Sequence, residues 1–569
     1  MDDSLAIHAS HMTPSQSGQL IASTSASQLR IHLTARSNDY TTFNIRIPSK
    51  EVTSLIWSEG ADQVAVVSAQ SIEVVDLQDE RHRVRLDNGA GGLGRFAAAE
   101  FVGDELLLVV WEFGRSKIWD LHSGKGVEIG DVKTTCDGVR WARRPGDGGE
   151  RTQLALLSRQ GAEDYVTVVF PASLTALPPS KLKTTDAQAF SWSPDGNWLA
   201  ILDTPSASPH TVHIYTPDGQ CYRSYPEPAN DPDLGLGIKS LHWSPDAKSL
   251  ALAGHDNRIT LLNARTFSPR AVIEHSTMID QATLPLEQRA PIWQEIVSPS
   301  HVRSHNSVAQ PFSPPISRPK QSLEPASLGI AEACFSECGN FLATRDERML
   351  STVWVWDMRT LAAYTVIVQH ANVRRMQWYR ITDPDVEEQV QCLLLDCGEG
   401  VAYLWPATPS ADDGTQPPST VFAELKGNIT FNFLSSRSDK PALVASTKGS
   451  FQLLRPYGID LAQTSKEPVS NISDAQSSHI HAITGSMGAD GKSIDADDDS
   501  LLDLLSGRTP MPDKAEPSYT EMIDAQAEDA TATGELQDTF RGKQLMGRSA
   551  PRRAPGSASG DPFDDSEIF

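Results

Sequence analysis

The sequence predicts an all-β fold in which a four-stranded sheet is repeated around a ring, a β-propeller. Eight strand-like segments each end in an aromatic residue followed by a polar turn. These aromatic residues are Trp57, Phe101, Trp141, Trp192, Trp243, Phe335, Trp378 and Phe433. Their spacing of roughly 40 to 55 residues, with one interval near 90, is typical of propeller blades. Because one four-stranded blade cannot bury both of its faces, the repeats must stack on one another.

The clearest repeat extends from Leu234 to Phe267. It begins with an apolar run that ends at Trp243, followed by the turn Ser244-Pro245-Asp246. Proline fixes φ and aspartate bonds its own backbone, so this sequence favours a tight turn. Two further apolar runs follow, separated by the turn Asp256-Asn257. Apolar runs of strand length between turn residues are typical of an antiparallel meander.

The whole chain divides into four predicted regions. With a degenerate first repeat from Ser4 to Pro48, the sequence predicts nine blades, preferably in one ring. Two partial propellers, or a smaller ring with an appended sheet, are the open alternatives. Residues 4–275 are predicted to form blades 1–6, residues 276–328 an inserted loop, residues 329–457 blades 7–9, and residues 458–569 a tail.

The inserted loop explains the one long interval between repeats. It is rich in Pro, Ser and Gln, which predicts a largely disordered segment. Its first half keeps apolar anchors that are expected to dock on the propeller, and we take Trp293 among them as a candidate partner-docking residue. Ser298 and Ser313 each precede a proline, as Thr509 does in the tail, so all three are candidate sites for proline-directed phosphorylation. Unmodified linker sequence explains the same Ser-Pro pairs equally well.

The tail is acidic and is predicted to be disordered. About half of the net charge of −24 lies in it. It contains the sequence DDDSLLDLLSG, which indicates either a chance apolar cluster or a short amphipathic peptide that folds into a partner's groove. The candidate docking residues are Leu501, Leu502, Leu504 and Leu505. This peptide resembles clathrin boxes, and Asp561-Pro562-Phe563 resembles ligands of endocytic adaptor ears.

Charge and cysteine content restrict the class of partner. A net charge of −24 and a pI of about 5.0 argue against nucleic acid or an anionic membrane as a partner bound through bulk charge. Six cysteines in 569 residues do not form a disulfide framework, and the first residues lack the pattern of a secretory signal. We therefore expect an intracellular, reducing environment.

No motif in the sequence carries a catalytic mechanism. The segment Gly89–Gly94 matches a dinucleotide fingerprint in spelling, but the residues after it are too short for the required helix, so we expect an inter-blade loop. Cys334 with Cys338, and Cys392 with Cys397, are spaced loosely like metal ligands, yet no matched histidine pair accompanies them. Buried structural cysteines are the simpler interpretation. We therefore predict no enzymatic activity, cofactor, metal or small-molecule substrate.

Two segments resemble one family of WD-repeat proteins found at spindle poles and centrosomes. The family-specific parts are the lead-in Leu236–Ser240 and the stretch Phe341–Asp357, which contains FLATR and VWVWD. The resemblance extends over about residues 4–457, weakly in the first three blades, and leaves out the tail. The chain departs from the family pattern at Glu337-Cys338, where Pro-Asp is usual.

The resemblance implies a non-enzymatic scaffold at the spindle pole body or centrosome. Members of this family associate with a coiled-coil microtubule-anchoring protein and, in fungi, with a minus-end-directed motor of the kinesin-fourteen class. Such a complex anchors microtubule minus ends and organises the mitotic spindle. A ribosome-binding propeller of the translation-initiation type, or an endocytic clathrin and adaptor scaffold, are the alternative interpretations.

Overall fold

The computed structural model confirms an all-β chain with nine blades in one ring. The residues that it describes are 6–455, except 35, 80–81, 90–93, 135–139, 147–151, 205–211, 227–236, 286–287, 317–327, 382–389, 408–415 and 435–441. The chain divides into two units, Met1–Pro468 and Val469–Phe569, and the second lies outside the described residues. The predicted disorder of the tail is therefore untested.

Blades 1–5 follow one another along the chain as antiparallel sheets. Blade 1 contains β2 (His11–Pro14), β3 (Leu20–Ser25), β4 (Gln28–Leu33) and β5 (Arg36–Asn44), after a first strand, β1 (Ile7–His8). Blade 2 contains β6 (Val52–Trp57), β7 (Gln63–Ser68), β8 (Ser71–Asp76) and β9 (Arg83–Asp87), and blade 3 contains β10 (Phe96–Phe101), β11 (Leu106–Trp111), β12 (Arg115–Asp120) and β13 (Gly126–Asp131). Blade 4 contains β14 (Trp141–Arg143), β15 (Leu154–Gln160), β16 (Glu163–Phe170), β17 (Thr175–Ala176) and β18 (Ser180–Lys181), with a 3₁₀ turn at Pro171–Ser173. Blade 5 contains β19 (Ala189–Trp192), β20 (Leu199–Leu202), β21 (Val212–Tyr215) and β22 (Cys221–Tyr225).

Blades 6–9 keep this order, and blade 7 has two additional strands. Blade 6 contains β23 (Ile238–Trp243), β24 (Ser249–Gly254), β25 (Arg258–Asn263) and β26 (Pro269–Glu274). The additional strands are β27 (Ile292–Val297) and β28 (Arg303–Val308), and blade 7 itself contains β29 (Ile330–Phe335), β30 (Phe341–Asp346), β31 (Thr352–Asp357) and β32 (Ala362–Val368). Blade 8 contains β33 (Arg375–Ile381), β34 (Val390–Asp396), β35 (Val401–Ala407) and β36 (Ser419–Phe422), and blade 9 contains β37 (Thr430–Leu434), β38 (Ala442–Ser446) and β39 (Ser450–Leu454).

The ring is closed by the N-terminal strand. The first strands of successive blades contact one another around the axis, as β2 and β6 or β29 and β33 do. Among the described residues blade 9 has three strands of its own, and β1 supplies the fourth by pairing antiparallel with β39. Backbone hydrogen bonds therefore join the two ends of the propeller, and the single ring preferred from the sequence is confirmed over the open alternatives.

Each hydrophobic core lies between two neighbouring blades. Between blades 5 and 6, for example, Ile214 and Tyr225 pack against Trp243, Leu250 and Phe267, all of them buried. Burial is worth about 25 cal/mol per Å² of apolar surface, so a blade is stable only when both faces are covered. A closed ring meets this requirement, because every blade then has a neighbour on each side.

Five of the repeat tryptophans also join one blade to the preceding one. The indole N–H groups of Trp57, Trp192, Trp243 and Trp378 donate to the backbone carbonyls of Thr13, Ala142, Ser191 and Cys334 at 3.0–3.2 Å. That of Trp141 donates to Glu100 Oε2 at 2.5 Å. Trp192, Trp243 and Trp378 are buried as predicted, whereas Trp57 and Trp141 are half-buried. All five tryptophans therefore form a hydrogen bond between blades, and three of them are also buried in the core.

A serine turn follows the first strand in five blades. Ser15, Ser58, Ser193, Ser244 and Ser336 each accept, through Oγ, the N–H of the residue five positions later at 2.9–3.2 Å. In blades 5 and 6 the serine also donates to an aspartate two residues on. Cys338 occupies that position in blade 7, with its Sγ 3.4 Å from Ser336 Oγ. The turn is thus kept where the sequence departs from the family pattern.

The structure corrects two expectations and agrees with a third. Residues 292–308 of the insertion are not disordered but form a hairpin that extends blade 7. Cys338 is exposed because it lies on a turn, and Cys334 is half-buried, although Cys392 and Cys397 are buried as expected. Gly89–Gly94, of which 90–93 lie outside the described residues, connects β9 to β10, so a strand follows it where the dinucleotide fingerprint requires a helix.

Candidate interaction site on blade 7

The hairpin formed by β27 and β28 is the main irregularity in the described part of the ring. Strand β27 pairs in parallel with β32, the outer strand of blade 7, and β28 pairs antiparallel with β27. The blade therefore has six strands and extends radially beyond its neighbours. At about 4.8 Å per strand, the extension is close to 10 Å.

The local sequence explains why a hairpin forms despite the many prolines and serines. Ile292–Val297 is rich in β-branched and aromatic residues, and a turn centred on Pro299 follows. The Ser298 N–H donates to the Val302 carbonyl at 2.9 Å, and Ser298 Oγ accepts the Val302 N–H at 3.1 Å. His301 takes the left-handed conformation that lets the chain reverse.

One side of the hairpin joins the core between blades 6 and 7. Ile292 is buried there, and Val308 and Phe312 pack against the same cluster. Phe312 also forms an isolated antiparallel β-bridge with Ile279, an apolar anchor predicted from the sequence. The first half of the insertion therefore contacts the propeller through Ile279 and Ile292, as expected. Leu284 and Ile296, which were also expected to dock, are exposed instead.

The other side is fixed to blade 8 by a buried carboxylate. Glu295 is completely buried, and its Oε1 accepts hydrogen bonds from Tyr403 Oη at 2.6 Å and Arg303 Nη1 at 3.1 Å. Its Oε2 accepts a hydrogen bond from the backbone N–H of His370 at 2.8 Å. Arg303 also reaches Glu399 on blade 8 at 3.2 Å. A buried charge paired in this way is strongly destabilised when one partner is removed.

The titration of the surrounding groups follows from this arrangement. Burial, and then the hydrogen bond to Glu295, raise the pKa of Tyr403 above its usual range, so the phenol stays protonated and donates. Burial lowers the pKa of His305, whose Nε2 lies 3.1 Å from Gln369 Oε1. The blade 8 side of the hairpin is therefore held by a neutral histidine and one compensated ion pair.

Nearly half of the exposed large apolar side chains in the described chain belong to the insertion. Of the eleven large hydrophobic residues exposed in the described chain, five belong to the insertion: Met278, Leu284, Ile296, Val302 and Ile316. Phe422, on the outer strand of blade 8, is 55% exposed. It pairs with Val401, which packs toward blade 7, so Phe422 lies on the hairpin side of its sheet. Ile296 and Val302 on the hairpin, and Phe422 on blade 8, are therefore candidates for contact with a partner.

The predicted site residues fall into three groups. Trp293 lies on β27, half-buried, on the side of the hairpin that faces blade 8. Ser298 has its hydroxyl engaged in the hairpin turn, whereas Ser313 is exposed just beyond β28. The last group lies outside the described residues: Leu501, Leu502, Leu504, Leu505 and Thr509.

Sequence reasoning missed the residues that hold the hairpin. Glu295, Arg303 and Tyr403 are far apart in the chain or hidden in serine-rich sequence, and only the fold brings them together. One signal was present, because Ile292–Val297 has strand propensity and is followed by the turn-forming tetrapeptide Ser298–His301. Composition outweighed it in the prediction.

A polar chain inside blade 7 was missed as well. Thr344 Oγ1 lies 2.8 Å from Trp356 Nε1, which donates to it, and 2.7 Å from His275 Nε2. His275 stacks on Trp354 and Trp356 with ring planes 13° and 6° apart. Burial lowers the pKa of His275 to about 4, so the ring is neutral. The Trp-Asp pair at Trp356-Asp357 is thus tied to the loop that follows blade 6.

Two kinds of feature are absent from the described residues. They contain no helix that is long and apolar enough to cross a membrane. Within the same residues, no group of three or more His, Cys, Asp or Glu side chains is placed to hold a metal ion.

Comparisons with known proteins agree with this architecture. No family model matches the chain. Mouse WD repeat-containing protein WRAP73 is 26% identical over 382 residues, which is 62% of this chain and 76% of the mouse protein. An uncharacterized WD repeat-containing protein of Schizosaccharomyces pombe is 24% identical over 343 residues. That match covers 58% of this chain and 65% of the yeast protein, slightly less than two thirds of the relative.

Solved structures with a related shape are more remote. A eukaryotic initiation factor has a TM-score of 0.45 at 12% identity, covering 74% of this chain and 89% of that one. Sqt1 of Saccharomyces cerevisiae has a TM-score of 0.42 at 10% identity, covering 71% and 97%. The closed ring of nine blades shows that the chain is a β-propeller, and its sequence is similar to two WD repeat-containing proteins, one of them WRAP73.

Proposed function

We propose that this propeller acts at the spindle pole body or centrosome, where it helps to anchor microtubule minus ends and organise the mitotic spindle. The observation that carries the proposal is the family-specific sequence at Leu236–Ser240 and Phe341–Asp357, together with the similarity to WRAP73. The proposed partners are a coiled-coil microtubule-anchoring protein and a minus-end-directed kinesin. In this role the chain is a platform without catalytic activity.

Charge supports an indirect attachment to microtubules. The exposed tails of tubulin are acidic, and a chain with a net charge of −24 repels them. A basic segment of a partner would therefore bridge the two, and that contact would weaken as salt is added. The closed ring supplies rigidity, and the pinned hairpin of blade 7 supplies a fixed site for a partner.

The test combines location, dependence and partners. A tagged chain should concentrate at spindle poles in mitosis, and its depletion should release minus ends, giving misplaced or protruding spindle microtubules. Affinity purification from mitotic cells should recover the coiled-coil protein and the kinesin. Absence from the poles, or focused spindles after depletion, would contradict the proposal.

The same purification distinguishes the alternatives. Ribosomal proteins in place of the mitotic partners would support the translation-initiation type of propeller. Clathrin and adaptors would support an endocytic scaffold that uses the tail motifs. Tight binding of the purified chain to microtubules without any partner would leave the location intact but contradict the adaptor mechanism.

A further inference from the structure

The outer edges of the nine blades differ in how they are protected. An exposed edge strand presents unpaired backbone groups to any other chain, and native proteins disrupt such edges with bulges, charges or short strands. Four edges have a register shift where the outer strand pairs with its neighbour: β5, β13, β22 and β26.

The remaining ordinary edges are protected in other ways. Strand β9 carries Arg83, Arg85 and Asp87 in five residues. Strands β1, β17 and β18 have two residues each, and β36 has four. Eight of the nine blades thus end in an edge that is interrupted, charged or short.

Strand β28 has none of these protections. It pairs with β27 over six consecutive residues without a register shift. It contains no proline, lysine or acidic residue. Its one formal charge, on Arg303, is compensated by Glu295 and Glu399, and its histidine is neutral and bonded to Gln369.

The register shows which backbone groups are open. The Ser298 N–H bonds the Val302 carbonyl, so 298 and 302 are a hydrogen-bonded pair. Such pairs alternate along an antiparallel ladder, so Ser304, Asn306 and Val308 point their backbone groups toward β27. The backbone groups of Arg303, His305 and Ser307 point away from it and bond no other described residue.

Side chains beside this edge favour the binding of a segment with apolar side chains. Trp293, opposite Ser307, and Phe422 lie on the blade 8 side of the edge. Ile296 and Val302 are 46% and 63% exposed on the hairpin itself. An added strand would place alternate side chains against these surfaces, and its main chain would satisfy the open backbone groups.

We propose that β28 is a docking edge that binds an extended segment of a partner protein as an additional antiparallel or parallel strand, with apolar side chains at alternate positions. A second copy of the chain fits less well, because six paired residues bury far less than the roughly 1,000 Å² that a specific dimer needs. A flexible segment needs only the edge. This inference rests on the scaffold role, and it defines how a partner is held.

The test uses the purified full-length chain and a phage-displayed library of random 12-residue peptides. Peptides with alternating apolar residues should be enriched. Ser307→Pro removes an outward N–H without touching the ladder to β27, and it should weaken binding of an enriched peptide at least tenfold. Ser307→Thr keeps the N–H and should change binding less than twofold.

A second variant keeps the test decisive if the proline change disturbs folding. Ser304→Lys adds a charge beside the edge with the backbone intact, and it should also weaken binding at least tenfold. Peptide binding that neither variant affects, or a library without enriched peptides, would overturn the proposal. So would a concentration-dependent dimer that Ser304→Lys abolishes, because the edge would then bind a second copy. These results concern purified protein, so their failure leaves the proposed cellular location standing.

Discussion

Blades 6 and 7 are built from the same four-strand unit but use their outer edges differently. In blade 6 the outer strand β26 begins at Pro269, has a register shift and ends the sheet. In blade 7 the outer strand β32 is covered by β27, and the chain between the two blades supplies that cover. The same inter-blade loop position that is a short connection elsewhere becomes an extension of the sheet here.

The difference shows how a repeat protein acquires a distinctive site. The inter-blade cores are similar around the ring, because each must fill the same gap with apolar side chains. The hairpin contributes Ile292 and Val308 to the core between blades 6 and 7, and a polar network centred on Glu295 joins its other side to blade 8. The inter-blade cores therefore stabilise the whole ring, whereas the features that distinguish blade 7 arise from contacts of one hairpin.

The largest expected effect is in blade 6, at the core residue Trp243. Trp243→Ala in blade 6 should lower the free energy of unfolding by about 3–5 kcal/mol, because it removes a buried indole and its bond to Ser191. Chemical denaturation of the full-length chain measures this. Trp243→Phe is the control, and it should cost clearly less, since only the inter-blade hydrogen bond and part of the ring are lost. Equal losses for both variants would contradict the packing role.

Glu295→Ala should destabilise the hairpin that distinguishes blade 7. It leaves Arg303 and Tyr403 without their shared acceptor, and about 3 kcal/mol should be lost from the stability of the hairpin. Limited proteolysis should then cleave near residues 298–302 while blade 6 stays intact. Glu399→Ala is the matched control, because that carboxylate is 46% exposed and should contribute less than about 1 kcal/mol. Equal protease sensitivity of the two variants would refute the pinning role of Glu295.

Part of the pH dependence of stability should come from His275, at the junction of the two blades. Its pKa is lowered to about 4 by burial, although the nearby Asp346 opposes the shift, while an unfolded histidine titrates near pH 6.5. The unfolded chain therefore binds the additional proton first. The stabilising contribution is complete above pH 6.5 and is lost progressively as the pH falls toward 4.

This loss is at most about 1.4 kcal/mol for each pH unit in that range. Unfolding curves between pH 7 and pH 5 measure it. His275→Gln, which has no titratable group at this position, should show a shallower slope. His242 is similarly shifted to about 4 and remains in that variant, so some slope should persist. An unchanged slope would mean that His275 does not contribute.

The smallest effect is a gain. Cys338→Asp restores the acceptor that Asp195 and Asp246 provide in the equivalent turns of blades 5 and 6. Ser336 Oγ would then donate to a carboxylate, and the stability should rise by about 0.5–1.5 kcal/mol. Thermal unfolding detects this, with Cys338→Ser as the control that changes the thiol without adding the carboxylate. A loss of stability would show that the turn of blade 7 differs from the others.

The repeat was predictable from the sequence, and the site was not. The aromatic-turn-strand unit is local, so Trp192, Trp243 and Trp378 could be assigned to equivalent positions by spacing alone. The network at Glu295 joins residues more than one hundred positions apart, as Tyr403 and Glu295 are, and no local pattern indicates that contact. In the insertion, Ile292–Val297 has strand propensity, but the prolines and serines around it predict disorder.

Amide hydrogen exchange on the full-length chain tests the central claim, that the insertion forms part of blade 7, most directly. We predict that amides in residues 292–297 exchange at least about a hundredfold more slowly than those of an unstructured peptide, because β27 pairs with β28 along its length and with β32 at Ile292–Gln294. Glu295→Ala should abolish that protection while leaving β24 in blade 6 protected. Exchange of residues 292–297 at the unstructured rate in the unmodified chain would contradict the account.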